Sequence, residues 1–310
     1  MIPNNGTSDR YSNPIVFVHG VGGLAFCHGL INDLKAESEE QNRPIILLDL
    51  PHVSLRMHSD IPDISAQIDS ICNMLDDTCG ANSKATFVGH SFGTILLSWM
   101  VQNKPDRVAG CVFLDPICFQ LHRKEILFNF HLQRVDKKIQ EGKKWLNPFS
   151  VESLINLAGT EVNEHLFFRN NILYILKSNP LYPSLFLQQM NTNYAMLRKF
   201  SWAANSLWPE DLAKEGIPAA ILLSENDEIV PSLEVCDLFQ DFNQRVNANG
   251  KKNNLLKTHV FPDCTHGSLF IDETFRKETV DTILGLQKEG GECREQFDFW
   301  KEIKYTMKTS

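Results

Sequence analysis

Six short runs along the chain are apolar with almost no polar alternation: PIVFVHG (14–20), PIILLDL (44–50), ATFVGH (85–90), GCVFLDP (110–116), PAAILLS (218–224) and LLKTHVFP (255–262). A strand with one wet face alternates apolar and polar residues, whereas a strand covered on both faces does not. These runs therefore predict strands buried within a parallel sheet. Between them, apolar residues recur at helical spacing over 29–40, 63–79, 92–103, 232–245 and 273–288. Strand alternating with helix predicts an α/β fold, a doubly wound and mostly parallel sheet of about six strands.

One interval departs from this rhythm. Residues 118–208 contain no strand-like run, only aromatic and leucine-rich helical pieces such as EILFNFHL, HLFFRNNILYIL and SLFLQQMNTNYAML. They are expected to form a helical insertion over the carboxyl ends of the strands, dividing the chain into a core (1–117 and 209–310) and a lid (118–208). The polar, Asn-rich stretch QRVNANGKKNN (244–254) reads as an exposed loop or an extended helix end.

A chain of 310 residues could hold two average domains or one large one. The strand–helix pattern resumes after the insertion, which favours one core, and 43% hydrophobic residues supply enough material to fill it. The formal net charge of −8 removes nucleic acid and anionic membrane from the expected partners, because both require an electropositive face. The eight cysteines form no C-x-x-C pair, so neither a zinc site nor a redox motif is indicated, and no metal is expected. No apolar stretch reaches the ~18 residues of a membrane span, and the polar N-terminus MIPNNGTSDRYSNP lacks the regions of a secretory signal. A cytoplasmic location is the default expectation.

Candidate chemistry concentrates at the ends of the predicted strands. Gly89-His90-Ser91-Phe92-Gly93 has the G-x-S-x-G form of a nucleophile elbow, placed between the strand-like ATFV and the helix-like TILLSWMV. In such a turn the serine takes a strained backbone conformation, and glycines two positions away avoid collisions. A serine hydroxyl attacks a carbonyl only when a base removes its proton. His266, in FPDCTHGSLF, follows the last predicted strand and is the candidate base. Its imidazole needs an acceptor that fixes the tautomer, and Asp227, in LLSENDEIVP, lies just past a strand end between Glu225 and Glu228. The glycine-rich VHGVGG (18–23) follows the first strand, and the backbone N–H groups of Val21 and Phe92 are assigned as donors to a developing oxyanion. His19 and His90 are expected to brace the two turns. The VHGVGG loop carries neither G-x-G-x-x-G nor a P-loop lysine, which argues against phosphate binding.

The order HGVGG, GHSFG, SENDEIVP, CTHG resembles the α/β-hydrolase superfamily over residues 14 to about 288. The resemblance implies Ser91 as nucleophile, Asp227 as acid, His266 as general base, 118–208 as a lid between the family's sixth and seventh strands, and no cofactor. Two departures stand out. Only about fourteen residues precede the first run, so the sheet is expected to start at the family's third strand, leaving a shortened edge that a partner or a second copy could cover. The interval from acid to histidine is also long, which the 244–254 extension explains; Asp115, after the fourth run, is the alternative acid.

The implied activity is hydrolysis of a carboxylic ester or thioester through an acyl-enzyme on Ser91. The aromatic residues of the insertion, among them Phe119, Phe128, Trp145, Phe168, Trp202 and Trp208, point to a small-molecule substrate with a hydrophobic acyl or aromatic group. A carbon–carbon hydrolase or acyltransferase would use the same three side chains, and a non-catalytic or slowly turning-over binding protein could retain them.

Overall fold

The computed structural model describes residues 13–40, 43–54, 61–123, 126, 202–248 and 255–286. Most of the expected lid lies outside the described residues, as do positions 249–254 of the Asn-rich stretch. The strands are β1 (Ile15–Val18), β2 (Ile45–Leu48), β3 (Ala85–His90), β4 (Val108–Leu114), β5 (Ala219–Ser224) and β6 (Leu256–Phe261). They form one sheet in the order β2-β1-β3-β4-β5-β6, every neighbouring pair parallel. The helices are α1 (His28–Glu40), α2 (Ile64–Cys79), α3 (Gly93–Asn103), α4 (Trp202–Asn205), α5 (Pro209–Lys214), α6 (Ser232–Ala248) and α7 (Glu273–Gly285). Each of the six runs read as a strand is one.

Strand side chains alternate between two cores. Val16, Val18, Phe87, Phe113, Ile221 and Leu223 pack with α2, α3 and α6 on one face. Ile15, Phe17, Val88, Val112, Leu114 and Leu222 pack with α1 and α7 on the other. With both faces covered, β1, β3 and β5 are buried at every position, which accounts for their unbroken apolar sequence. Asp63 caps α2 by accepting from Ala66 N at 2.7 Å, and Asp272 caps α7 by accepting from Thr274 N and Phe275 N.

Two boundaries differ from the sequence reading for local reasons. β4 begins at Val108, two residues early, where a register shift against Ala85 and Thr86 accommodates the turn Pro105–Arg107. α6 continues to Ala248 because Val246 still packs against the core, so the first half of the Asn-rich stretch is helix. At the sheet's β2 edge, Leu47 is exposed to 41%.

The strand order reverses between β1 and β3, both of which start near the middle of the sheet and lead to helices on opposite faces. Such a switch point opens a crevice outside the carboxyl ends of the strands. The loops after β1, β3, β4, β5 and β6 all emerge at that end.

Candidate active site

Ser91 directly follows β3 with φ of 50°, in the left-handed region that a non-glycine residue rarely occupies. The turn is held from several sides. Ser91 N donates to Leu114 O of β4 at 2.9 Å, Thr94 Oγ1 donates to Ser91 O at 2.6 Å, and Ile117 N donates to Thr94 Oγ1 at 3.2 Å. The flanking glycines are required by contact. A Cβ on Gly93 would lie 2.4 Å from Val18 O, and one on Gly89 would lie 2.7 Å from Leu97 Cδ1. The chain thus turns from β3 into α3 with no room for side chains at either shoulder.

His266 lies 175 residues further along the chain, in the loop after β6, and meets this turn. Its Nε2 is 2.9 Å from Ser91 Oγ, and its Nδ1 is 2.6 Å from Asp227 Oδ2. Asp227 comes from the loop after β5, where Ile229 N and Val230 N donate to its Oδ1 at 2.7 and 2.8 Å. These donors fix one carboxylate oxygen and leave the other aimed at the ring. With Nδ1–H donating to Asp227, the neutral imidazole presents Nε2 as an acceptor to the serine hydroxyl. Burial alone pulls the His266 pKa down, but the charge and hydrogen bond of Asp227, followed by the charge of Asp115, outweigh it and raise the group to about 9.

The loop after β1 packs directly on the elbow, since a Cβ on Gly20 would stand 2.9 Å from Ser91 Cβ and 2.8 Å from His90 Nδ1. Val21 follows in that loop, and Phe92 follows Ser91 as the N-cap of α3. His19 holds the loop in place: its Nδ1 lies 2.6 Å from Gly20 O while its Nε2 accepts from Leu50 N at 2.9 Å. Gly22 N donates to Val53 O at 2.8 Å, a second tie to the loop after β2.

His90 is buried, with ring contacts to His266 at 5.2 Å and Phe270 at 4.5 Å. Its Nε2 has no hydrogen-bond partner among the described residues. Burial, then repulsion from His266 and His19, pushes its pKa well below the usual imidazole value, so it is a neutral ring packed beneath His266.

Asp115 does not bond the imidazole. It follows β4, is fully buried, and spends both oxygens on Ser224 N (2.8 Å), Ser224 Oγ (3.1 Å) and Gly267 N (2.9 Å). Asp115, Asp227 and His266 each offer a ligand-type atom within 4.8 Å of the others. Hydrogen bonds already engage the carboxylate and imidazole atoms of this cluster. The sequence suggested Asp115 only as an alternative acid; its link to Ser224 and Gly267 depends on strand register, although its place at the end of a buried strand marked it for attention.

A family model described as the alpha/beta hydrolase fold matches residues 13–273, most of the chain. The chain belongs to the alpha/beta hydrolase family. Among solved structures, this family member is similar to a serine hydrolase from the polyaromatic-hydrocarbon-degrading bacterium Cycloclasticus zankles (TM-score 0.54, 15% identity, 89% of this chain and 91% of that chain). It is also similar to a thermophilic esterase from Thermogutta terrifontis (TM-score 0.52, 15% identity, 89% and 91%) and to a proline iminopeptidase from Mycobacterium smegmatis (TM-score 0.52, 15% identity, 91% and 92%). At such identity the likeness establishes the shared fold. No curated protein matches the chain. Among the described residues of this alpha/beta hydrolase family member, no helix is long and apolar enough to cross a membrane.

Proposed function

We propose that the protein is a serine hydrolase that cleaves a carboxylic ester or thioester through an acyl-enzyme on Ser91. The observation that carries the reading is the continuous hydrogen-bond chain from Ser91 Oγ to His266 Nε2 at 2.9 Å and from His266 Nδ1 to Asp227 Oδ2 at 2.6 Å. Ser91 Oγ attacks the substrate carbonyl while His266 takes the hydroxyl proton, and Asp227 stabilises the imidazolium that forms. The proton then passes from His266 to the leaving alcohol or thiol, leaving the acyl group on Ser91. Water then attacks the acyl carbonyl while His266 accepts its proton, and as the intermediate collapses the bond to Ser91 Oγ breaks, His266 returns the proton to that oxygen, and the carboxylic acid leaves.

The oxyanion formed in each half-reaction is assigned to the backbone N–H groups of Val21 and Phe92. The close fit of the Gly20 turn on Ser91 supports the first, and the position of Phe92 at the start of α3 supports the second. The segment 118–208 is read as a lid over this site. Its two ends meet at the core, where Leu207 N donates to Cys118 O at 3.0 Å and Trp99 Nε1 donates to Asn205 Oδ1 at 2.8 Å. An excursion that leaves and returns at one place over the strand ends suits a cover. Its aromatic content supports a small-molecule substrate with a hydrophobic acyl or aromatic group. A cytoplasmic setting goes with this reading, since Cys27, Cys72, Cys111, Cys118, Cys236 and Cys264 are buried as free thiols.

The test is a panel of esters and thioesters of increasing acyl length, applied to wild type and Ser91→Ala. The expected result is turnover that rises with acyl length and a loss of about 10⁴-fold or more in the variant. Undiminished turnover by Ser91→Ala would refute the mechanism. Activity confined to acetyl esters would refute the hydrophobic acyl group.

A further inference from the structure

We propose that Asp115 is a positioning residue of this site: its buried carboxylate ties the loop carrying Asp227 to the loop carrying His266, and its charge adds to the field around the imidazolium. The proposal rests on the serine-hydrolase reading and adds to it a group that does not touch substrate.

The connectivity is specific. Ser224 closes β5 three residues before Asp227, and Asp115 Oδ1 accepts from its backbone N at 2.8 Å while Oδ2 accepts from its hydroxyl at 3.1 Å. Gly267 follows His266 immediately, and its N–H donates to the same Oδ2 at 2.9 Å. Gly267 has φ of 77°, so the chain reverses directly after the histidine, and the tie to Asp115 anchors that reversal. One carboxylate therefore fixes the departure of one loop and the turn of the other, while Asp227 is left to bond the ring itself. Asp115 also adopts a left-handed φ of 43°, a strained conformation for a residue with a Cβ. A conformation of that kind persists where surrounding contacts over-determine it, and here the three hydrogen bonds do so.

The charge matters as well as the contacts. Among the described residues, the titratable groups facing Asp115 and His266 are Asp227 and Glu228 from the loop after β5, Cys264 from the loop after β6 and His90 at the end of β3. Burial, then repulsion from Asp227, pushes the Asp115 pKa above the usual carboxylate range, while its two oxygens accept from three donors, the pattern of an ionised carboxylate beside a ring that becomes a cation during turnover. An amide at this position keeps an oxygen for Ser224 N but turns an N–H toward Gly267 N–H, two donors facing each other, and removes the charge.

The experiment uses Asp115→Asn and Ser224→Ala in the full chain, with kcat and KM measured across pH and the His266 imidazole titrated by NMR. Asp115→Asn is expected to lower kcat about 10- to 100-fold with little change in KM, as for a displaced catalytic group. It should also move the ascending limb of the pH profile about one unit toward acid. Ser224→Ala should shift both in the same directions by less. An unmoved limb, whether kcat falls or not, would reduce Asp115 to a packing residue and overturn the proposal. Should Asp115→Asn not fold, Ser224→Ala decides: unchanged kcat and limb overturn the proposal, and the stated shifts sustain it. Should wild type turn over no ester at all, the hydrolase reading falls by itself, and the NMR titration still decides whether removing Asp115 lowers the His266 pKa.

Discussion

At the scale of single residues, His266 is governed by opposing influences. Burial disfavours its cation, while Asp227 and Asp115 favour it more strongly, so its pKa lies above the ordinary imidazole value, at about 9. The proposed mechanism needs the neutral ring as base, and raising the pKa extends protonation to higher pH. Activity is therefore expected to climb with pH through an ascending limb on the alkaline side of 6.5. Asp227→Asn removes the charge and the acceptor that fixes the tautomer. The limb should then move toward acid, and kcat should fall about 10³- to 10⁴-fold, the loss known for an amide at this place in such a triad. A pH–rate profile of the two proteins measures both effects. Full turnover by Asp227→Asn would transfer the acid role elsewhere.

At the scale of elements, the strand β3, the elbow and the helix α3 form one unit whose geometry tolerates little. Gly93 opens α3 so close beneath β1 that a methyl group would stand 2.4 Å from Val18 O and 2.7 Å from His19 O, both backbone atoms that cannot swing aside. Gly93→Ala is expected to destabilise the fold by about 3 kcal/mol, read as a lower thermal midpoint. An unchanged midpoint would mean that the elbow is looser than its contacts imply. Elements such as these were legible in the sequence because burial on both faces removes polar alternation from the strands, because α3 is buried almost all round, and because α2 and α6 carry an apolar stripe. Their ends were less so. The start of β4 depends on a register shift against β3, and the length of α6 depends on Val246 reaching a core that lies far away in sequence.

At the scale of the whole molecule, four adjacent strands each deliver one group to a common point: Ser91 after β3, Asp115 after β4, Asp227 after β5 and His266 after β6. Parallel strands bring their carboxyl ends to one edge, so residues 175 positions apart can share a proton without any long-range motif in the chain. Ser91 and His266 could be chosen from the sequence because each sits just past a strand-like run and the chemistry requires both types, whereas Asp227 was separated from Glu225 and Glu228 only by the resemblance to the α/β-hydrolase superfamily. The bridging by Asp115 and the burial of His90 could not, since both follow from which strand lies beside which and at what height. The measurement that tests the central claim most directly is covalent labelling by a fluorophosphonate, with the modified peptide located by mass spectrometry. Stoichiometric modification of Ser91 in folded wild type, abolished in His266→Ala, is the predicted result; a folded protein whose Ser91 stays unmodified, or reacts equally well without His266, would contradict it.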